Sequence, residues 1–116
     1  DKFWSNAIYS TNNRYKLMPN ACRHGDGLYT GHGCSPTSTV IATQGRVRIN
    51  KRPAARMNDP VAPHTILVGI YCVHHSARVN RGSRSVRING IPAARVGDSA
   101  DFGAMAQGST NVRIGG

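Results

Sequence analysis

An internal repeat limits the folds open to this chain. Residues 47–59 and residues 86–98 are identical at nine of thirteen positions, at a constant offset of 39. Parts of a third copy lie near the two ends. Residues 23–26 (RHGD) match the R-x-[G/N]-D that ends each full copy, and residues 108–114 (GSTNVRI) match residues 82–88 (GSRSVRI). Three R-x-[G/N]-D units therefore alternate with three V-R-I units, which predicts a fold made of three similar parts.

Each full copy has the pattern of a β-hairpin. In residues 86–98 a short alternating strand, VRI, is followed by Asn89-Gly90. This pair favours a two-residue hairpin turn, because both positions tolerate positive φ. Pro92 cannot donate a backbone hydrogen bond, which suits an edge or the start of a strand. No segment shows helical periodicity over three turns, so we predict an all-β fold with almost no helix.

A repeat that is cut at both ends predicts closure. If residues 23–26 lie beside residues 112–114, three hairpins surround one axis and leave no free edge. The three intervening loops, near residues 27–44, 60–81 and 99–107, should then emerge at the same end. We therefore expect a small cone or prism with pseudo-threefold symmetry, in which the loops fold over the apex.

The length of the chain suits a single domain, which we place at residues 18–116. Residues 1–17 lie outside the repeat and are predicted to be an N-terminal extension or linker. Their aromatic residues Phe3, Trp4 and Tyr9 are candidates for docking onto a partner, although a poorly ordered tail is an equal alternative. Because the chain has only two Phe and one Trp, burial alone would stabilise it weakly, and a staple such as a metal is expected.

The charged residues argue against an enzyme. The chain has a net charge of +10, no Glu and five Asp, so it offers few groups for general acid–base catalysis. A basic chain can bind nucleic acid or an anionic membrane surface. Here the Arg residues are dispersed, aromatic residues for base stacking are few, and no nucleic-acid-binding motif occurs. We predict no nucleic-acid partner and keep a basic nucleic-acid or membrane-surface binder as a remote alternative, which salt-sensitive affinity would favour.

The cysteines and histidines predict a metal site. Three Cys is an odd number, so a complete disulfide framework is excluded. Sulfur mixed with imidazole is the ligand set typical of zinc. The cysteines lie close in sequence to four of the five histidines: Cys22, Cys34 and Cys72 beside His24, His32, His74 and His75.

The repeat also carries a family resemblance. VRINGIPAARVGD resembles the signature of the PAAR-repeat family, which is named after the Pro-Ala-Ala-Arg stretch found here at residues 53–56 and 92–95. The resemblance covers residues 20–116. Three further motifs match the family: Gly31-His32-Gly33-Cys34, Asp59-Pro60-Val61-Ala62-Pro63-His64, and Gly108-Ser109 before the last V-R-I.

This resemblance implies a structural function. Family members are conical caps on the trimeric β-helical spikes of contractile phage tails and type VI secretion systems, and they hold a zinc ion near the point. It implies a monomer that caps and sharpens a membrane-piercing spike, one cap per trimer, with transient contact with the target cell envelope. Zinc is the expected metal, and iron is a weaker candidate. A zinc-dependent enzyme remains a remote alternative.

Two settings are open for such a cap. We expect the central spike of a phage tail baseplate, and hence a location in the virion, because no effector segment follows the last strand before Gly116. The alternative is a type VI secretion spike tip or effector adaptor. It would be loaded in the bacterial cytoplasm and then delivered to the target cell.

The resemblance implies three histidine ligands, His32, His64 and His75, and its register favours His75 over the neighbouring His74. Many members place a Cys ligand in the third loop, where this chain has Phe102.

The fourth ligand is therefore open. The third loop offers only Asp101 as a donor. We predict Cys72, because C-x-x-H spacing would let Cys72 and His75 reach one ion, and Cys34 is the alternative.

Other polar residues of the repeat have structural interpretations. We expect the Arg and Asp of each R-x-[G/N]-D unit to pair and to fix the turn that begins each loop. His24 corresponds to Met57 and Val96 in the other units, which favours packing. Cys22 is expected to be a free or buried thiol.

Overall fold

The computed structural model describes residues 18–116, and these form an all-β domain without helices, as predicted. No helix in this range could therefore cross a membrane. The predicted extension at residues 1–17 lies outside the described residues. The ten strands are β1 (Gly27–Tyr29), β2 (Thr37–Thr39), β3 (Arg48–Ile49), β4 (Arg52–Pro53), β5 (Pro60–Val68), β6 (Tyr71–Arg78), β7 (Arg87–Ile88), β8 (Ile91–Pro92), β9 (Ser99–Ala100) and β10 (Gly103–Met105).

The two full copies of the repeat form the short hairpins β3–β4 and β7–β8. Asn89 and Gly90 have φ of 51° and 82°, and Asn50 and Lys51 have φ of 54° and 67°. Positive φ at both central positions is the requirement of a type I′ turn. The predicted Asn-Gly turn is thus confirmed, and Lys51 adopts the same conformation in the first copy.

The split third copy closes the domain. In each copy the first Ala of the repeat donates its backbone N–H to the carbonyl of the Val that begins V-R-I. The donor–acceptor distances are 2.9 Å for Ala21 to Val112, 2.9 Å for Ala54 to Val47 and 3.0 Å for Ala93 to Val86. Because the first of these bonds joins the start of the described chain to its end, the predicted closure is confirmed.

Three buried residues form a ring of backbone hydrogen bonds at the centre of the repeat. Ala55 donates to the carbonyl of Cys22 at 2.9 Å, Ala94 donates to Ala55 at 3.0 Å, and Cys22 donates to Ala94 at 3.0 Å. All three residues are fully buried. Cys22 therefore occupies the position of the second alanine in a third stretch that resembles Pro-Ala-Ala-Arg, from Asn20 to Arg23.

Each R-x-[G/N]-D unit forms a turn that is capped by its aspartate. Asp26, Asp59 and Asp98 are buried, and each accepts the backbone N–H of the Arg three residues earlier at 2.8 Å. The third position of each unit has positive φ, which explains why only Gly or Asn occurs there: 84° at Gly25, 73° at Asn58 and 93° at Gly97.

The predicted Arg–Asp side-chain pairs form in two of the three units. Arg23 contacts Asp26 at 2.9 Å and Arg95 contacts Asp98 at 3.1 Å. Arg56 differs, because its guanidinium donates to Thr43 Oγ1 at 3.1 Å. That hydroxyl donates to Asp59 at 2.6 Å, so Thr43 takes the place of the direct pair.

The three segments predicted as loops are themselves β-hairpins, β1–β2, β5–β6 and β9–β10, and they pair with one another at one end of the repeat. We call these three the long hairpins, because the segments that contain them are longer than the repeat hairpins. β1 pairs with β10 within the sheet β2-β1-β10-β9, and bridges join the other neighbouring segments. Each junction places two apolar residues opposite each other: Leu28 and Met105, Val40 and Val61, Val79 and Ala100. These residues, with Cys22, Ala55 and Ala94, form the main core.

A second, smaller core lies among the repeat hairpins. It is built from three equivalent pairs of residues: Ala21, Ala54 and Ala93 with Ile49, Ile88 and Ile114. The base of the domain is the surface around this cluster, formed by the three V-R-I segments.

The central ring predicts which core substitutions the fold tolerates. We expect Cys22→Ala to change the free energy of unfolding by about 1 kcal/mol or less, because alanine already fills both equivalent positions. Ala94→Leu should cost about 3 kcal/mol, since the side chain would push against the backbone of the ring. Urea unfolding followed by circular dichroism measures both. Equal losses in the two variants would contradict a tightly packed threefold centre.

Candidate metal centre

Four side chains from all three long hairpins meet in one cluster. These are His32 after β1, His64 in β5, His75 in β6 and Asp101 in the β9–β10 turn. Their nearest ligand atoms all lie within 4.8 Å of one another. The side chains of His32, His64 and Asp101 are 2 to 4% exposed, and that of His75 is 24% exposed.

A β-bulge and a cross-strand pair position two of the histidines. The register between β5 and β6 shifts between Val61 and His64, where Pro63 cannot join the ladder. Beyond the bulge, His64 lies directly opposite His75, so both rings share one face of the hairpin. The Nδ1 of His64 lies 2.8 Å from the carbonyl of Ala62.

His32 depends on the glycine before it. Gly31 has φ of 80°, and a Cβ at this position would lie 2.7 Å from the carbonyl oxygen of Phe102. Only glycine allows this close approach. The backbone N–H of His32 then donates to the hydroxyl of the buried Thr30 at 3.1 Å, which fixes the direction of the ring.

Asp101 is held by its backbone at the tight turn between β9 and β10. It has φ of 56°, its N–H donates to the carbonyl of Arg78 at 3.1 Å, and its carbonyl accepts from Asn80 Nδ2 at 3.0 Å. Aspartate tolerates this left-handed conformation better than most residues. The turn directs its carboxylate at the three histidines.

The carboxylate of Asp101 contacts all three imidazoles through their Nε2 atoms. Oδ1 lies 2.9 Å from His32 and 3.0 Å from His75, and Oδ2 lies 2.7 Å from His64. Burial raises the pKa of Asp101, but the hydrogen bonds of His75, His64 and His32 together outweigh it and hold the pKa below its usual value. Asp101 is therefore an anion at neutral pH.

The proton positions around His64 favour a cation in the cluster. Nδ1 of His64 must carry a proton to bond the Ala62 carbonyl at 2.8 Å. A neutral His64 then has its lone pair on Nε2, only 2.7 Å from an ionised oxygen of Asp101. Two lone pairs at this distance repel each other, and a cation relieves the repulsion, whether a proton on Nε2 or a metal ion. An Nδ1–H bonded to a carbonyl is also the usual outer contact of a metal-bound histidine.

The donor set fits a structural metal site. Three imidazole nitrogens and one carboxylate oxygen are ligands that zinc accepts in tetrahedral sites. Structural zinc sites use four protein ligands, whereas catalytic sites keep one position open. The four residues here supply four donors, so the cluster could hold a metal ion in a closed site.

The structure places Cys72 elsewhere, which corrects the expectation of a sulfur ligand. Cys72 and the alternative, Cys34, form a disulfide with each other, so neither can be a thiolate ligand while that bond is present. The C-x-x-H segment is part of strand β6 rather than a turn. Because successive side chains of a strand point to opposite faces, Cys72 and His75 lie on opposite faces of the hairpin.

The remaining candidates have other contacts. His74 is exposed and lies on the same face as Cys72, away from the cluster. His24 is also exposed, and its Nδ1 accepts the N–H of Ala42 at 3.1 Å, so it orients a loop instead of packing in the core. Cys22 is a free, buried thiol as expected, and burial raises its pKa. Phe102 places its ring edge-on to His32, with ring centroids 5.1 Å apart.

Comparison with known proteins identifies the family. A protein-family model described as PAAR motif matches residues 30–104 and residues 71–116, which together span well over half of the chain. No curated protein matches the sequence. Proteins with the PAAR motif bind metal and are structural tips of the trimeric spikes of contractile injection systems, in phage tails and in type VI secretion. The matched segments contain both full copies of the repeat, the three histidines and Asp101, and the chain therefore belongs to the PAAR motif family.

Proposed function

We propose that this protein caps and sharpens a trimeric β-helical spike, with one copy per trimer, and acts as a monomer. The observation that carries the proposal is the central ring, in which Cys22, Ala55 and Ala94 are related by pseudo-threefold symmetry within one chain. A single chain can then present three similar contacts to three identical subunits. Such a match of symmetry lets each subunit bind an equivalent surface.

The base supplies those contacts. The three V-R-I segments begin at Val47, Val86 and Val112, and the first two of these side chains are each 37% exposed. The isoleucines that end the segments are buried in the second core. The base thus repeats an apolar valine about one axis, exposed at Val47 and Val86 and partly buried at Val112, and we assign one segment to each spike subunit.

For the setting, we propose the central spike of a phage tail baseplate, with a type VI secretion spike tip as the alternative. The disulfide between Cys34 and Cys72 supports the first setting. Disulfides persist on virions and in other oxidising environments, and they are rare in the bacterial cytosol, where a secretion spike is loaded. A survey of the neighbouring genes for tail or secretion components tests this choice.

We further propose that His32, His64, His75 and Asp101 hold one zinc ion, with iron as a weaker candidate. Bound zinc would link the three long hairpins at one point, so that its binding free energy adds to the stability of the fold. The protein contributes the fixed rings and the buried carboxylate, and the disulfide braces two of the same hairpins independently.

Metal content separates this ligand set from the cysteine alternatives. We expect about one zinc per chain in the wild type and at least about tenfold weaker retention in Asp101→Ala, because one of four donors is lost. The double variant Cys34→Ser/Cys72→Ser should keep its metal, as should the control His74→Ala. Elemental analysis after chelator titration measures retention. Loss of metal from the cysteine variant with retention by Asp101→Ala would reverse the assignment.

Stoichiometry tests the cap itself. Mixed with its cognate trimeric spike protein, the chain should form a complex of one cap and three spike subunits, measurable by light scattering after gel filtration. Val86→Asp should weaken this complex by at least about tenfold, because a charge would be buried against the spike. Tyr29→Ser, which alters an exposed side chain among the long hairpins, is the matched control. Three caps per spike would contradict the proposed geometry.

A further inference from the structure

The turn of the long hairpin β5–β6 exposes a group of large apolar side chains, which we call the apolar tip. The exposed fractions are 52% for Leu67, 56% for Val68, 85% for Ile70, 69% for Tyr71 and 39% for Val73. Five exposed apolar side chains around one turn are unusual on a soluble domain, where such clusters mark binding surfaces.

The apolar tip lies at the end of the hairpin that is remote from the base. β5 begins at Pro60, contributes Val61 to the core, passes the His–Asp cluster at His64 and then reaches the turn at Gly69. The disulfide at Cys72, which lies within the tip, and a hydrogen bond of 2.8 Å between Ser35 and Thr65, just before it, tie the hairpin to the hairpin β1–β2. The apolar residues are therefore held outward and cannot fold back onto the core.

The chemistry of this segment suits a lipid surface. Residues 60–77 contain no Lys, Arg, Asp or Glu, although the whole chain carries fifteen basic residues. A protein partner of a basic domain would normally be recognised through some of these charges, and on this hairpin the one basic residue, Arg78, lies at the end of β6 that is remote from the turn. Tyr71 adds an amphipathic ring of the kind enriched at membrane interfaces.

The backbone of the apolar tip is also suited to a lipid environment, which requires that backbone N–H and C=O groups be hydrogen-bonded. Ile66 pairs with Val73, Leu67 with Cys72 and Val68 with Tyr71, so the ladder continues up to the turn. Paired backbone groups avoid the cost of entering hydrocarbon without hydrogen bonds. From the Leu67–Cys72 pair to the turn the hairpin extends about 7–10 Å at ~3.4 Å per residue, which matches the ~5–10 Å depth of interfacial insertion.

We propose that the apolar tip inserts into the headgroup–acyl boundary of a lipid bilayer, and that apolar burial rather than charge attraction drives the contact. The inference rests on the proposed function in one respect only: a base bound to the spike would leave the apolar tip pointing away from the spike. Insertion itself is a property of the chain alone.

Vesicle flotation tests the inference on the full-length, metal-loaded protein. We expect the wild type to float with neutral phosphatidylcholine vesicles at 0.5 M salt, and Ile70→Asp to lose at least about tenfold in partitioning. Ile70 is almost fully exposed, so the variant should fold, which its metal content and melting temperature verify. Tyr29→Ser removes another exposed apolar side chain, at 62%, and should float like the wild type.

Several results would overturn the inference. The first is that the wild type does not float, and the second is that Ile70→Asp floats equally well. The third is binding only to phosphatidylglycerol vesicles, in a form that salt abolishes. That result would assign the contact to the arginines. Self-association that Ile70→Asp removes, without vesicle binding, would instead make the tip a protein interface. None of these outcomes depends on the spike, so a failed spike complex would leave this test intact.

Discussion

The fold depends on three backbone hydrogen bonds among Cys22, Ala55 and Ala94. Because the bonds form a closed ring, the three segments must approach more closely than larger side chains would permit, and this explains small residues at all three positions. The same approach brings the first Ala of each repeat against a V-R-I segment and directs each capped turn toward the opposite end. Fixing the ring thus fixes both the base and the starting points of the long hairpins.

Away from the ring, the hydrophobic core is small, and a side-chain cluster and a disulfide also connect the hairpins. The main core consists of small and medium apolar residues at the hairpin junctions, and none of the aromatic residues between Met18 and Gly116 belongs to it. The His–Asp cluster and the disulfide between Cys34 and Cys72 act beyond that core, on hairpins with little other packing. The two links are chemically independent, since the first would respond to protons and, with the proposed metal bound, to chelators, whereas the second responds to reductants. Loss of either would leave the other in place.

The repeat allowed much of the fold to be predicted, because positions such as Asn89-Gly90 and Gly97-Asp98 carry local turn signals that do not need distant partners. The closure of the domain could also be predicted, because the third copy of the repeat is divided between the two ends of the chain. The site was harder to predict. The prediction of Cys72 as the fourth ligand depended on whether residues 71–78 form a turn or a strand, since a strand places Cys72 and His75 on opposite faces. No local signal separates these cases in a short apolar run, and the Cys34–Cys72 pairing joins residues 38 positions apart.

The symmetry of the base and the asymmetry of the long hairpins have a joint consequence. Three similar V-R-I segments face one end, whereas the hairpins at the other end differ in length, from the two-residue β9 to the nine-residue β5. Under the proposed function, a trimeric spike could not distinguish the three segments by backbone geometry, so the cap could bind in three rotational settings of nearly equal energy. A population of assembled spikes would then hold the β5–β6 hairpin at three azimuths. Imaging averaged about the spike axis would show a well-defined base beneath an apex whose density is reduced to about one third.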